Sequence, residues 1–148
     1  MLTLGHQCII LEMKSTGKDE ALKELADTIH ASCRDVDPAM LLTVLQEREQ
    51  VGSTGVGNGV AIPHAKVPGL DHPVLCFGRS SAGISFEAID NRPVHLFVQI
   101  LSPTGRPDEY LRSLARISRL LKKEANRRFL MQATDKEQIL ALFNSPQE

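Results

Sequence analysis

Residues 94–101, Val-His-Leu-Phe-Val-Gln-Ile-Leu, narrow the possible folds more than any other stretch of the chain. Val94, Leu96, Val98 and Ile100 alternate with His95, Phe97, Gln99 and Leu101, so a strand here is largely apolar on both faces. Such a strand is central in its sheet and covered on both sides. His95 within it reads as a hydrogen-bonded core or rim histidine. Shorter strands are expected at residues 7–13, 60–62 and 74–80. Helices lie between and after them. Leu22, Leu25, Ile29 and Cys33 share a helical face, behind capping chemistry at Ser15-Thr16-Gly17. Asp37-Pro38 starts a second helix, whose inward stripe Met40, Leu41, Val44, Leu45 ends in Arg48. Asp108 is expected to cap a long helix with the stripe Leu111, Leu114, Ile117, Leu121. Two short helices follow, the second opened by a capping box at Thr134-Asp135-Lys136-Glu137. A frayed tail is expected from Asn144. Strands interleaved with helices predict an α/β layered fold.

Bulk properties bound the rest. At 148 residues the chain is expected to be one domain, 1–148. A formal net charge of −1 gives no global footprint for nucleic acid or an anionic membrane. Residues 1–11 lack a basic flank and are too short to span a bilayer, so neither a signal peptide nor membrane insertion is expected. Cys8, Cys33 and Cys76 are odd in number and widely spaced, which points to reduced thiols and a cytoplasmic location. No Cys or His pair has zinc spacing, and no metal site is expected. Arg112, Arg116, Arg119 and Lys123 line one helix face, read as a solvated face balanced by acids elsewhere.

Chemistry is suggested by residues 53–66, Ser-Thr-Gly-Val-Gly-Asn-Gly-Val-Ala-Ile-Pro-His-Ala-Lys. Gly55, Gly57 and Gly59 allow a tight backbone with N–H groups turned to a common point. Pro63 fixes its own φ and biases Ile62 toward extended backbone, holding His64 rigidly at a strand end. There is no Gly-Lys-Ser/Thr ending, so this is no P-loop. The glycines open into a strand, which excludes a dinucleotide fingerprint. The residues alone leave two readings: a turn with a structural histidine, or a site where an imidazole meets an anion.

The run from Gly52 to His64 resembles the active-site signature of the enzyme IIA domains of the fructose/mannitol type. Those domains belong to the bacterial phosphoenolpyruvate-dependent phosphotransferase system, and the nitrogen-regulatory branch is most similar. Gln46-Glu47-Arg48-Glu49 stands where that family carries its active-site arginine. Phe86-Glu87-Ala88-Ile89-Asp90-Asn91-Arg92-Pro93-Val94 resembles its Asp-Asn/Gly-x-Pro-Val turn. The resemblance spans about residues 15 to 143. It implies a three-layer sandwich, a mixed β-sheet with helices on both faces. It also implies reversible transfer of a phosphoryl group from an HPr-like phosphocarrier protein to Nε2 of His64, with Nδ1–H anchored by a hydrogen bond.

In that reading Arg48 neutralises phosphoryl charge, while Ser53, Thr54, Asn58 and the loop N–H groups donate hydrogen bonds. No cofactor is implied, because the donor arrives already activated. Many members carry a second histidine at the start of the long helix, and here Tyr110 holds that position. A phenol donates to phosphate but adds no positive charge near neutral pH. Three functions follow: a regulatory phosphocarrier acting on target proteins, a sugar-specific IIA passing phosphate to a IIB domain, or a binding module without phosphotransfer.

Overall fold

In the computed structural model, which describes residues 4–34, 36–105 and 107–145, the chain leaves a 3-10 turn at His6–Cys8 for β1 (Ile9–Ile10). Two helices follow, α1 (Lys18–Ser32) and α2 (Pro38–Val51), then the strands β2 (Gly55–Gly57), β3 (Val60–Ala61) and β4 (His64–Val67). Two long strands, β5 (Val74–Ile84) and β6 (Val94–Pro103), precede α3 (Pro107–Lys122), α4 (Glu124–Gln132) and α5 (Lys136–Asn144).

As its two apolar faces require, β6 is the spine of the sheet, and Phe97 to Leu101 are wholly buried. Along one edge β5 pairs antiparallel with it, from Val74 opposite Leu101 to Ile84 opposite Val94. The other edge is shared by β3, aligned at Leu96 and Phe97, and β4, aligned from Ile100 to Pro103, both parallel. β1 lies parallel to β5, and β2 antiparallel to β3. The sheet is therefore mixed. Helices cover both faces, as expected. α1 packs on β5 and α2, and a Cβ added at Gly78 would strike Met13 Sδ and Leu25. The next residue, Arg79, points to the opposite face and binds the carbonyls of Leu130 in α4 (2.8 Å) and of Ala133 just beyond its end (2.6 Å).

Several boundaries differ from expectation, each for a local reason. The N-terminal strand is two residues long, because residues 6–8 coil before pairing begins. Ser15 and Thr16 do not cap α1; Gly17 holds the cap position, while Ser15 Oγ donates to Glu24 (2.6 Å) and Thr16 Oγ1 to Glu20. Asp37 caps α2 through Ala39 N–H at 3.1 Å, as the Asp-Pro pair implies. α3 begins at Pro107, one residue before Asp108. Its inward face runs through Ser113, Ile117, Leu120 and Leu121, leaving Leu111 exposed. In the expected basic stripe Arg116 turns inward, donating to Phe143 O at 2.5 Å, whereas Arg112, Arg119 and Lys123 are exposed. The last capping box is shifted by one residue: Asp135 accepts from Gln138 N–H, and Gln138 Oε1 from Thr134 N–H. Asn144 is tied to Leu4 by two hydrogen bonds and is not frayed, while residues 146–148 of the expected tail lie outside the described residues.

Candidate functional site

β3 and β4 lie end to end along the same edge of β6, so the chain must step from one to the other at Ile62-Pro63. Ile62 N–H donates to Thr54 O (2.9 Å), and Pro63 O accepts from Ile100 N–H (2.9 Å). Proline fits the step because its nitrogen has no proton to satisfy. His64 therefore opens β4, where a position at the end of the preceding strand was expected. Its side chain is half-buried, reachable from solvent.

Both ring nitrogens are constrained. Nδ1 is 2.8 Å from Ile62 O, and Nε2 is 3.2 Å from Arg48 Nε. A carbonyl only accepts and a guanidinium N–H only donates. Nδ1 must then carry the proton and Nε2 the lone pair. A doubly protonated ring would set Nε2–H against Arg48 Nε–H. Burial is the main cause that holds the His64 pKa below its ordinary 6.5, and Arg48 adds to it; the Ile62 carbonyl and Glu49 pull the other way. The balance favours a neutral nucleophile.

Arg48 reaches His64 from the last turn of α2, where its Nη1 also donates to Gly52 O at 2.8 Å. It thus serves the helix terminus and the histidine together. Tyr110, in the first turns of α3, sets its ring 5.9 Å from the His64 ring at a 52° tilt. Burial raises the Tyr110 pKa, so the phenol stays neutral. Lys66 lies two residues beyond His64 on β4, with Nζ 5.5 Å from the Tyr110 ring centroid.

The glycine stretch is a β-hairpin, and its N–H groups do not converge as expected. Gly55 N–H donates to Ser53 Oγ (3.0 Å), and Asn58 N–H to Asp90 Oδ2 (3.3 Å). Gly57, Asn58 and Gly59 take positive φ (95°, 58° and 75°) to make the turn. Gly55 serves close packing instead: a Cβ there would lie 2.8 Å from Ala88 Cβ and 2.9 Å from Ala88 Cα. Ser53 accepts from Gly55, which leaves its own hydroxyl proton to donate.

Thr54 is buried, and both its N–H (3.0 Å) and its hydroxyl bind Glu49. The expectation that Thr54 donates to a phosphoryl group does not survive this pairing. Nor is Asn58 brought to the histidine. Gly59, beside it, binds His95 and Leu96, while His64 aligns with Ile100. Four residues of strand, about 13 Å, separate those levels. His95 is the hydrogen-bonded rim residue expected, with Nδ1 2.9 Å from Ser80 O.

Two residues beside the site gave little sequence signal. Glu49 is the immediate neighbour of Arg48, and its side chain is 5% exposed. Lys18 opens α1 and pairs with Glu49 at 3.0 Å. Their separation of 31 positions hides the pair from local pattern reading.

Comparison with known proteins places this geometry in a family. Residues 3–145 match the family model described as "Phosphoenolpyruvate-dependent sugar phosphotransferase system, EIIA 2". A nitrogen regulatory protein of Bradyrhizobium diazoefficiens is 36% identical over 97% of this chain and 93% of its own length. The fructose-specific EIIABC component of Bacillus subtilis is 32% identical over 95% of this chain, which spans only 22% of that protein. The crystal structure of nitrogen regulatory protein IIA-Ntr from Neisseria meningitidis superposes with a TM-score of 0.89, at 29% identity, covering 95% of this chain and 96% of that one. Among the described residues no helix is long and apolar enough to cross a membrane. The chain belongs to the type-2 EIIA family of the phosphoenolpyruvate-dependent sugar phosphotransferase system, with relatives in both its nitrogen-regulatory and its sugar-specific branches.

Proposed function

We propose that His64 accepts a phosphoryl group on Nε2 from the phosphohistidine of an HPr-like phosphocarrier protein and surrenders it reversibly. The observation that carries this reading is the ring held from both sides: Nδ1–H on the Ile62 carbonyl, and the Nε2 lone pair facing Arg48. In the transfer, the donor's P–N bond breaks as a new P–N bond forms to Nε2. No proton leaves His64, because Nδ1 already carries the one it keeps. One P–N bond replaces another, so the step is readily reversible.

Phosphoryl transfer asks the protein chiefly for positioning and charge compensation. Arg48 supplies both. Its Nε–H yields the lone pair as phosphorus arrives, and its five donors exceed what His64 and Gly52 require. Ser53 and Tyr110 are assigned as neutral donors to phosphoryl oxygens. Asn58 is not retained in that role, nor is Thr54.

Similarity to the nitrogen regulatory proteins supports a regulatory phosphocarrier whose phosphorylation state is read by target proteins in the cytoplasm. Similarity to the fructose-specific EIIABC component supports a second reading, in which phosphate passes onward to a IIB domain. The test is intact mass after mixing with phosphoenolpyruvate, enzyme I and a carrier protein. Gain of one phosphoryl group, lost in His64→Ala, is expected. An unchanged mass would reduce the chain to a binding module on the same fold. Adding purified IIB domains then separates the branches, since label reaching a IIB domain favours sugar transport.

A further inference from the structure

We propose that Glu49 is a positioning residue for this transfer: its buried carboxylate closes the turn that presents the Arg48 guanidinium to His64. The proposal rests on the phosphotransfer reading above and goes beyond it to a residue outside the reacting atoms.

The argument follows a chain of contacts. Glu49 Oε1 accepts from Thr54 N–H at 3.0 Å, and Oε2 from the Thr54 hydroxyl. These two bonds span five residues and close the segment 49–54 on itself. Inside that closure lies Gly52, the residue after α2, whose carbonyl accepts Arg48 Nη1 at 2.8 Å. The same guanidinium then has one direction left for Nε–H, and it meets His64 Nε2 at 3.2 Å. Freed from Glu49, the turn would move the Gly52 carbonyl, and the guanidinium would lose one of the two anchors that aim it.

The carboxylate is itself held from outside. Lys18 Nζ lies 3.0 Å from Oε1, at 17% side-chain exposure, and sits 5.0 Å over the Phe86 ring. Glu87 Oε2 stands 3.9 Å from the same ammonium. A buried carboxylate is retained only with such partners, because an unpaired charge there is costly. The cluster links the first residue of α1, the end of α2, the start of the glycine hairpin and the turn before β6. Thr54 O also accepts from Ile62 N–H, and Ile62 O anchors His64 Nδ1. Glu49 therefore borders both supports of the imidazole, without touching it.

Two variants separate positioning from mere stability. Glu49→Gln keeps the shape, but its single amide oxygen can accept only one of the two Thr54 donors, and it loses the charge that holds Lys18. Lys18→Met removes the partner and leaves the Thr54 bonds. Single-turnover phosphorylation from the phosphorylated carrier is measured for each, alongside the urea midpoint and the nitrogen-15 spectrum of His64. Glu49→Gln is expected to slow transfer at saturating carrier by roughly tenfold to a hundredfold, the range set by sub-ångström misplacement, with the carrier KM little changed. Its His64 Nε2 signal should shift as the Arg48 bond weakens. Lys18→Met should move rate and spectrum in the same direction by a smaller factor. If both variants fold and transfer within about twofold of the parent, with His64 spectra unmoved, the proposal fails while the phosphotransfer reading stands. If the parent chain itself takes no phosphoryl group, both fail together.

Discussion

Replacing Arg48 with alanine removes a guanidinium whose Nε stands 3.2 Å from the proposed nucleophile. A phosphoryl group on Nε2 would place its oxygens about 4 Å from that charge, where two unit charges attract by about 4 kcal/mol at an effective dielectric of 20. The site is half-open to solvent, and screening leaves about half of that, roughly 2 kcal/mol. At 1.36 kcal/mol per decade the forward rate should fall by about 30-fold, with about 10³-fold as the unscreened limit. Arg48→Lys keeps the charge but replaces the fork, whose Nε and Nη1 serve His64 and Gly52 O separately, with a single nitrogen, so an intermediate loss is expected. Rapid quench with labelled phosphocarrier gives the rate directly, and the urea midpoint shows whether the fold is intact. A purely helix-capping arginine would cost about 0.3–1 kcal/mol of stability and no rate. An alanine variant that transfers at the parental rate would refute the reasoning.

Three further outcomes follow from the same geometry. Since burial and Arg48 lower the His64 pKa, its titration midpoint by NMR should lie below 6.5, and transfer should persist into mildly acid pH. The sign for stability agrees: the unfolded histidine takes its proton first, so stability is lost as pH falls from 6.5 through the folded pKa. His64→Gln should abolish that slope, and a midpoint at or above 6.5 would contradict the account. Tyr110→His puts a titratable cation beside the His64 ring, so it should speed transfer or lengthen the lifetime of the phosphorylated form; identical kinetics would remove position 110 from the site. Gly55→Ala drives a Cβ to 2.8 Å from Ala88 Cβ, and should cost about 1–3 kcal/mol in urea unfolding by overpacking. A neutral substitution would mean that the hairpin is less tightly seated on the Ala88 turn than described.

How much of this was legible in the residues depended on the range of each interaction. The central strand, the Asp37 cap and the approach of Arg48 to His64 follow from local pattern and one family signature. The phase of α3 did not, because four leucine and isoleucine positions fit more than one helical face. Only the packing of Ile117 and Leu120 against the sheet chose between them, and it left Leu111 outside. Thr54 and Asn58 were misjudged for a related reason. A hydroxyl or amide in a glycine-rich stretch shows its donors, but not the long-range partner that already holds them or the level of the sheet at which they sit. Glu49, bonded to Thr54 and paired with Lys18, takes one pair of donors, while the alignment of Gly59 with Leu96 removes Asn58 from the histidine. Long-range pairing decided these cases, and no local spacing reports it.

The most direct measurement is the position of the phosphoryl group on the ring. Histidine labelled with nitrogen-15, phosphorylated through the carrier and examined by NMR, reports which nitrogen bears phosphorus and which keeps its proton. The Ile62 carbonyl should hold Nδ1–H throughout, giving a phosphoryl group on Nε2 of His64 alone. Phosphorus on Nδ1, or on a different residue, would contradict the account at its root.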